Sequence, residues 1–312
     1  MTMNTEALLD GLNSVISIPL IPYAGEQIDY DGHAKNIEYL LKNNYLSDNR
    51  PRVISIAGTS LIHHVGFKEQ IHLMDVTGQQ MGKEGILIAA IVPNPIGDAG
   101  DMIAQMSKLQ RPPDVYLLMP LTGTYSPEGL YSQFMQFTAK YGTEYDARFL
   151  YYYRRARDRD FIIRLIKESP HVIGVKIGTD ESDVKPFIDA LDESKIVIWG
   201  IGDRSTDAAQ LGAKGHTSGI NIFAVRASDE INNAQRRKDY DAAREIEAQI
   251  APLEDIRFLN ERAYNYSAVM EIIIVSGVED VVAGTGGPFN PRVPSEVGEE
   301  ITRIADNIRQ YH

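Results

Sequence analysis

Short apolar runs recur along the chain, each followed by a polar turn and then a stretch with helical periodicity. The runs are NSVISIPL (13–20), RVISIA (52–57), GILIAAIV (85–92), DVYLLMP (114–120), ARFLYYY (147–153), HVIGVKI (171–177), KIVIWGI (195–201) and HTSGINI (216–222). Most are continuously apolar instead of alternating, as strands buried on both faces of a parallel sheet must be. Between them the pattern predicts helices over 31–44, 67–82, 97–110, 127–141, 158–168, 180–192 and 204–213. Asp98, Ser126 with Pro127, Asp180 and Ser205 are the residue types that begin helices. Eight strands separated by single helices predict an α/β fold of the (β/α)8 TIM barrel class, closed on itself and not an open sheet. A dinucleotide-binding sheet would carry GxGxxG after its first strand, and IPLIPYAGEQ does not supply it.

The pattern changes near residue 227. Two or three long helical segments follow, then the Gly- and Pro-rich AGTGGPFNPRVP and a last helix, SEVGEEITRIADNIRQ. The organisation expected is therefore a barrel over 1–226 and a helical appendage over 227–312 packed on it. The Gly284–Pro288 segment reads as a structural loop and not a phosphate cradle, because it lies outside the barrel strands.

Composition narrows the chemistry. The 312 residues include no cysteine, which excludes disulfides, zinc-thiolate sites, iron–sulfur clusters and cysteine nucleophiles. A formal net charge of −12 argues against nucleic acid or an anionic membrane surface as partner. It leaves room for a small anionic substrate in a locally positive pocket. The segment MTMNTEALLDGLNSV has no basic stretch leading into an apolar one, and no apolar run reaches the roughly 20 residues of a membrane span. A cytoplasmic protein is the expectation. The histidines show neither HxxxH nor HExxH spacing, and no metal or other cofactor is expected.

Three strand ends carry candidate chemistry. Lys176 lies near the carboxyl end of the sixth run, on the face where barrels of this class build their sites. Between Ile and Val its ammonium loses hydration, which favours the neutral amine, and a neutral amine attacks a ketone to form a Schiff base. The plainer alternative is a strand-end lysine reaching for solvent or for Asp180. The fifth run ends in Tyr151-Tyr152-Tyr153; Tyr151 and Tyr153 share one face and Tyr152 takes the other, so at least one phenol faces the interior. A desolvated phenol can carry protons in imine chemistry, although strand propensity alone also explains tyrosines there. Gly58-Thr59-Ser60 closes the second run with hydroxyls and turn amides suited to a carboxylate, or forms a generic turn.

These motifs, in this order and spacing, resemble the dihydrodipicolinate synthase/N-acetylneuraminate lyase family of class I, Schiff-base-forming aldolases and dehydratases. Its Gly-Thr-Thr-Gly-Glu loop is similar to Gly58-Thr59-Ser60, its Ile-Leu-Tyr-Asn-Val-Pro strand to Phe149–Arg154, and its Gly-Ile-Lys strand to Gly174-Val175-Lys176. Ser126–Tyr131, Leu211–Gly215 and Ser218–Asn221 fit the same frame, and the similarity spans about residues 11–300. The resemblance implies that Lys176 forms the imine with a 2-oxo acid such as pyruvate and that Tyr151 shuttles the proton. It implies that Gly58, Thr59 and Ser60 hold the substrate carboxylate and that Ser218, Gly219 and Ile220 line the pocket. A homo-oligomer, dimer or tetramer, is also implied.

The chain departs from the family pattern at several points. Leu61-Ile62 stand where the family has Gly-Glu, Thr122 where the synthases have a second relay tyrosine, and Arg154 where the strand motif has proline. The 260–267 segment is reminiscent of the branch acting on 2-keto-3-deoxy sugar acids. The expected function is a lyase that cleaves, condenses or dehydrates such an acid. Alternatives are a catalytically altered binding or regulatory barrel, dihydrodipicolinate synthase proper, and a phosphate-dependent isomerase barrel, for which the glycines after the seventh and eighth runs are too sparse.

Overall fold

The computed structural model describes residues 3–312. Eight parallel strands close a barrel: β1 (Val15–Ser17), β2 (Val53–Ile56), β3 (Ile86–Ile91), β4 (Val115–Leu118), β5 (Phe149–Tyr153), β6 (Val172–Ile177), β7 (Ile196–Trp199) and β8 (His216–Ser218). Each pairs with the next, and β8 returns to β1 through Val15–His216, Ile16–Thr217 and Ser17–Ser218. Every residue of these strands is buried, which accounts for the continuous apolar runs. The expected barrel is the observed one.

Helix α1 (Thr5–Leu12) precedes the barrel, begun by the Asn4 side chain, which accepts from the Ala7 amide at 2.8 Å. Its Leu8 and Leu12 are fully buried. The helices between strands are α2 (Tyr30–Lys42), α3 (Phe67–Met81), α4 (Ile96–Met106), α5 (Pro127–Tyr145), α6 (Arg159–Glu168), α7 (Val184–Ala190) and α8 (Thr206–Gln210). Ser126 caps α5 as its residue type predicts. Asp98 does not begin α4, which starts two residues earlier after Pro95, and Ser205 makes no capping bond of its own. The Glu247 carboxylate instead accepts from the Ser205 and Thr206 amides at 2.8 and 2.9 Å.

Helix α9 (Val225–Arg236) follows β8, so the boundary expected at 226/227 falls inside this helix. It is tied to the residue just before β2 by a fully buried ion pair in which Arg52 donates through both terminal nitrogens to Asp229, at 2.7 and 2.8 Å. Three helices then complete the chain: α10 (Tyr240–Arg262), α11 (Ser267–Ser276) and α12 (Ser295–Ile308). Helix α10 loses regular geometry at Leu259, and Asn260, Glu261 and Arg262 are all left-handed, with φ of 48°, 59° and 77°. This turn carries the end of the helix over the carboxyl mouth of the barrel. The appendage therefore supplies one wall of the site, a role its amphipathic pattern did not suggest. No helix among the described residues is long and apolar enough to cross a membrane.

Candidate active site

A cavity of about 410 Å³ opens at the carboxyl ends of the strands. Its barrel side is formed by Gly58, Thr59, Tyr152, Lys176, Gly200 and Gly219, and its appendage side by Arg257, Phe258, Arg262 and Asn265. Strand pairing sets Tyr152 beside Lys176 across β5 and β6, so both side chains point inward at one level. The Lys176 Nζ lies 4.3 Å from the centre of the Tyr152 ring. Its methylene stem rests on Gly200, where an added Cβ would come within 2.8 Å of the lysine Cε. That glycine is what makes room for a lysine in a closed barrel.

Burial pushes the Lys176 amine below the ordinary lysine range; the Tyr152 phenol opposes this, and Arg262 and Arg154 reinforce it. For Tyr152, burial would raise the phenol, but the nearby Lys176, Arg154 and Arg262 cations outweigh it and bring the group down to about 7. Arg154 donates to the phenol oxygen at 3.2 Å and Arg262 at 3.5 Å. The second Arg262 nitrogen reaches the Gly178 carbonyl at 3.3 Å. The amine and phenol thus form one electrostatic unit, with two guanidiniums on the outer side.

The structure corrects the expectation for Tyr151. That residue points away from the interior and sets its ring edge-on against Phe134 of α5, 5.7 Å between centres. Burial pushes its phenol far up. Alternation leaves Tyr153 on the outer side too, where it donates to Asp183 at 3.3 Å. Tyr152, not Tyr151, is the phenol that β5 turns towards the cavity.

The other expected site residues divide in the same way. Gly58, Thr59 and Gly219 line the cavity. Ser60 does not: its hydroxyl donates to the Pro19 carbonyl at 2.8 Å and its amide to Ala57 at 2.7 Å. Ser218 faces out of the barrel, where its hydroxyl donates to Asp203 at 2.5 Å and accepts from the Asn221 amide at 3.0 Å. Ile220 is fully buried away from the cavity. On β8 the inward positions are Thr217 and Gly219, one residue either side of Ser218. Leu61 has φ of 53°, the left-handed backbone for which glycine is suited, at the place where the family motif has glycine. Thr122 lies at the cavity mouth.

Arg257 escaped the sequence reading altogether. It is buried, donates to Glu254 at 2.5 Å and to the Asn265 side chain at 2.7 Å, and passes directly over Gly219. A Cβ at residue 219 would stand 2.2 Å from the Arg257 Nη2 and 3.1 Å from the Thr59 Oγ1. Gly219 thus permits a guanidinium and a hydroxyl to converge. Among the described residues no group of three or more His, Asp or Glu side chains is arranged to hold a metal ion.

A closed parallel barrel with a cavity at the carboxyl ends of its strands defines the architecture: a (β/α)8 barrel with its site at the carboxyl mouth. The chain belongs to the dihydrodipicolinate synthetase family, whose model matches residues 12–291, and members of that family are class I aldolase-type lyases. Among solved structures it is similar to a dihydrodipicolinate synthase from Bacillus clausii, with a TM-score of 0.85 and 18% identity over 96% of this chain and 98% of that one. The synthase from Oceanobacillus iheyensis gives 0.84 and 17%, covering 97% and 98%. The chloride-inhibited synthase from Acinetobacter baumannii, solved in complex with pyruvate, gives 0.79 and 22%, covering 95% and 99%. No curated protein sequence is recognisably similar to this chain.

Proposed function

We propose that this protein is a lyase that forms an imine between Lys176 and a 2-oxo acid, with Tyr152 as the proton carrier. The observation that supports this most is the buried amine against the phenol face at the closed end of a cavity open to solvent. Neutral Lys176 adds to the C2 carbonyl; a new C–N bond forms and the ammonium proton passes to the carbinolamine oxygen. That hydroxyl leaves as water when Tyr152 protonates it, and the nitrogen lone pair completes C=N. The protonated imine then accepts the electron pair released at C3, by loss of a proton or cleavage of C3–C4.

A group that must both give and take a proton near neutrality works best with its own pKa near the ambient pH. Tyr152, at about 7, meets that condition. The Thr59 hydroxyl and the Arg257 guanidinium over Gly219 form the positive corner for the C1 carboxylate, in place of the Ser60 hydroxyl. The polar mouth, with Thr122, Asn265 and the arginines, suits a 2-keto-3-deoxy sugar acid, on which aldol cleavage and dehydration share the enamine.

Dihydrodipicolinate synthesis itself is the second reading, favoured by the names of the three neighbours. Condensation assays with pyruvate and the amino-aldehyde of that reaction separate the two. The imine is tested by incubating the protein with pyruvate, reducing with borohydride and locating the adduct by peptide mass. An adduct on Lys176, absent in Lys176→Ala, supports the reading; unmodified lysine across a panel of 2-oxo acids overturns it.

A further inference from the structure

We infer that Glu254 is a positioning residue for the carboxylate corner: it holds the Arg257 guanidinium over Gly219, and it takes up a proton when the substrate carboxylate arrives to share that guanidinium. Binding of the 2-oxo acid is then linked to protonation of a residue that does not itself line the cavity. This rests on the reading of Thr59 and Arg257 as the carboxylate corner of an imine-forming site, and adds what stands behind that corner.

Helix α10 lays one turn across the ends of β7 and β8, and two glycines let it come close. A Cβ at residue 219 would strike the Arg257 guanidinium, and one at residue 202 would strike the Glu254 carboxylate. Both glycines line the cavity. Glu254 and Arg257 are buried, with 0% and 2% of their surface exposed. The Arg257 Nη1 donates to one Glu254 oxygen at 2.5 Å, and its Nη2 donates to the Asn265 side chain at 2.7 Å. The guanidinium is therefore gripped from two sides, with its Nη2 end over Gly219. The other Glu254 oxygen has no hydrogen-bond partner among the described residues.

A buried carboxylate with one oxygen unpartnered keeps its charge through a single contact. Among the described residues Arg257 is the one cation within 4.0 Å of it. Burial raises Glu254, Arg257 lowers it, the Asp203 carboxylate raises it and Arg204 lowers it, and the balance lies at about 6. The other charged groups packed there are committed elsewhere. Asp203, in the turn after β7, accepts from the Ser218 hydroxyl at 2.5 Å and meets the His216 ring of β8 at 3.2 Å. Arg204 is paired with Asp255. Two carboxylates on one guanidinium repel each other across a buried site. The substrate carboxyl is much the stronger acid, so Glu254 is the one that gives up its charge. Above about pH 6 the free protein keeps Glu254 ionised, whereas the bound protein keeps it neutral to higher pH, so the carboxylate binds more tightly as pH falls.

The test follows cyanoborohydride trapping on Lys176 of the full-length protein, with pyruvate and with pyruvamide, the same ketone carrying an uncharged amide in place of the carboxylate. Trapping rates at low ketone concentration are compared across a pH series from about 5 to about 8. Their ratio cancels the titration of Lys176 and Tyr152, which acts on both ketones alike. The preference for pyruvate is expected to grow at least about fivefold from the alkaline to the acid end. Glu254→Gln keeps an oxygen for Arg257 and loses the charge, so its preference should be independent of pH and match the wild-type value at the acid end. Glu254→Ala releases the guanidinium and should lose the preference that Gln retains. An unchanged pH slope in Glu254→Gln overturns the inference. So does a wild-type preference that does not vary with pH, a result that needs no variant to fold. In both cases the pyruvate adduct leaves the imine standing. Absence of any pyruvate adduct on Lys176 removes the imine reading, and this inference with it.

Discussion

Replacing Tyr152 with Phe removes one oxygen, and Tyr151→Phe one residue away removes the same oxygen from the other face of the strand. The structure predicts opposite outcomes. The cations of Lys176, Arg154 and Arg262 outweigh burial and bring the Tyr152 phenol from its ordinary value of 10.0 down to about 7, which favours the phenolate. At neutral pH the group is then poised between acid and base; unshifted, only about one molecule in a thousand would carry the base form. Losing a positioned proton carrier of this kind costs 10²–10⁴-fold in rate. The assay needs no knowledge of the natural substrate: exchange of the pyruvate methyl protons in heavy water, followed by proton NMR, reports enamine formation. Tyr152→Phe is expected to slow exchange by at least about a hundredfold and to remove the rise in rate through pH 7. Tyr151→Phe, which alters only packing against Phe134, should stay within about threefold of wild type. The reasoning is refuted if Tyr151→Phe is the damaging change, or if Tyr152→Phe keeps the pH 7 limb.

Other substitutions probe the frame of the site. Gly219→Ala drives a methyl group into the Arg257 guanidinium and the Thr59 hydroxyl; it should raise the half-saturating pyruvate concentration at least tenfold while costing about 1–3 kcal/mol in denaturant unfolding. Asp229→Ala leaves Arg52 charged and buried, and should destabilise by about 3–5 kcal/mol in the same experiment without touching the cavity. His33 is fully buried, with Nε2 bonded to the Thr77 hydroxyl at 2.9 Å, and burial lowers it from 6.5 to about 4. Between these values the unfolded chain binds a proton that the folded chain refuses, so stability falls as pH drops from 6.5 to 4, by about 3 kcal/mol in total. His33→Gln should flatten that part of the stability–pH curve, and an unchanged slope would reassign the acid lability elsewhere.

The barrel was legible because strands covered on both faces write themselves as unbroken apolar runs, and all eight lie where those runs fall. Lys176 was legible for the converse reason: a charge inside such a run is out of place unless it has work to do. The tyrosine was not. Alternation separates Tyr152 from its neighbours but does not say which face of β5 looks inward; only the pairing of Tyr152 with Lys176 across the sheet does. The same phase ambiguity misplaced Ser218, since the inward residues of β8 are its neighbours. Ser60 failed differently, its hydroxyl being engaged by a carbonyl 41 positions away in sequence. Arg257 was hidden because nothing local marks it, and Arg262 stood out only as part of the 260–267 segment, with no role in the site. Arg257 lies in the regular part of α10, before the left-handed turn that Arg262 ends, and both matter only because this stretch of the chain covers the mouth of the barrel.

The central claim is that one desolvated amine, held against a phenol, condenses with a ketone. A crystal structure of the protein soaked with pyruvate tests it most directly. Continuous density from the Lys176 Nζ to the ligand C2 is predicted, with the Tyr152 oxygen the nearest proton donor and the carboxylate turned towards Thr59 and Arg257. An unmodified Lys176, with pyruvate absent or bound through its carboxylate elsewhere, would contradict it.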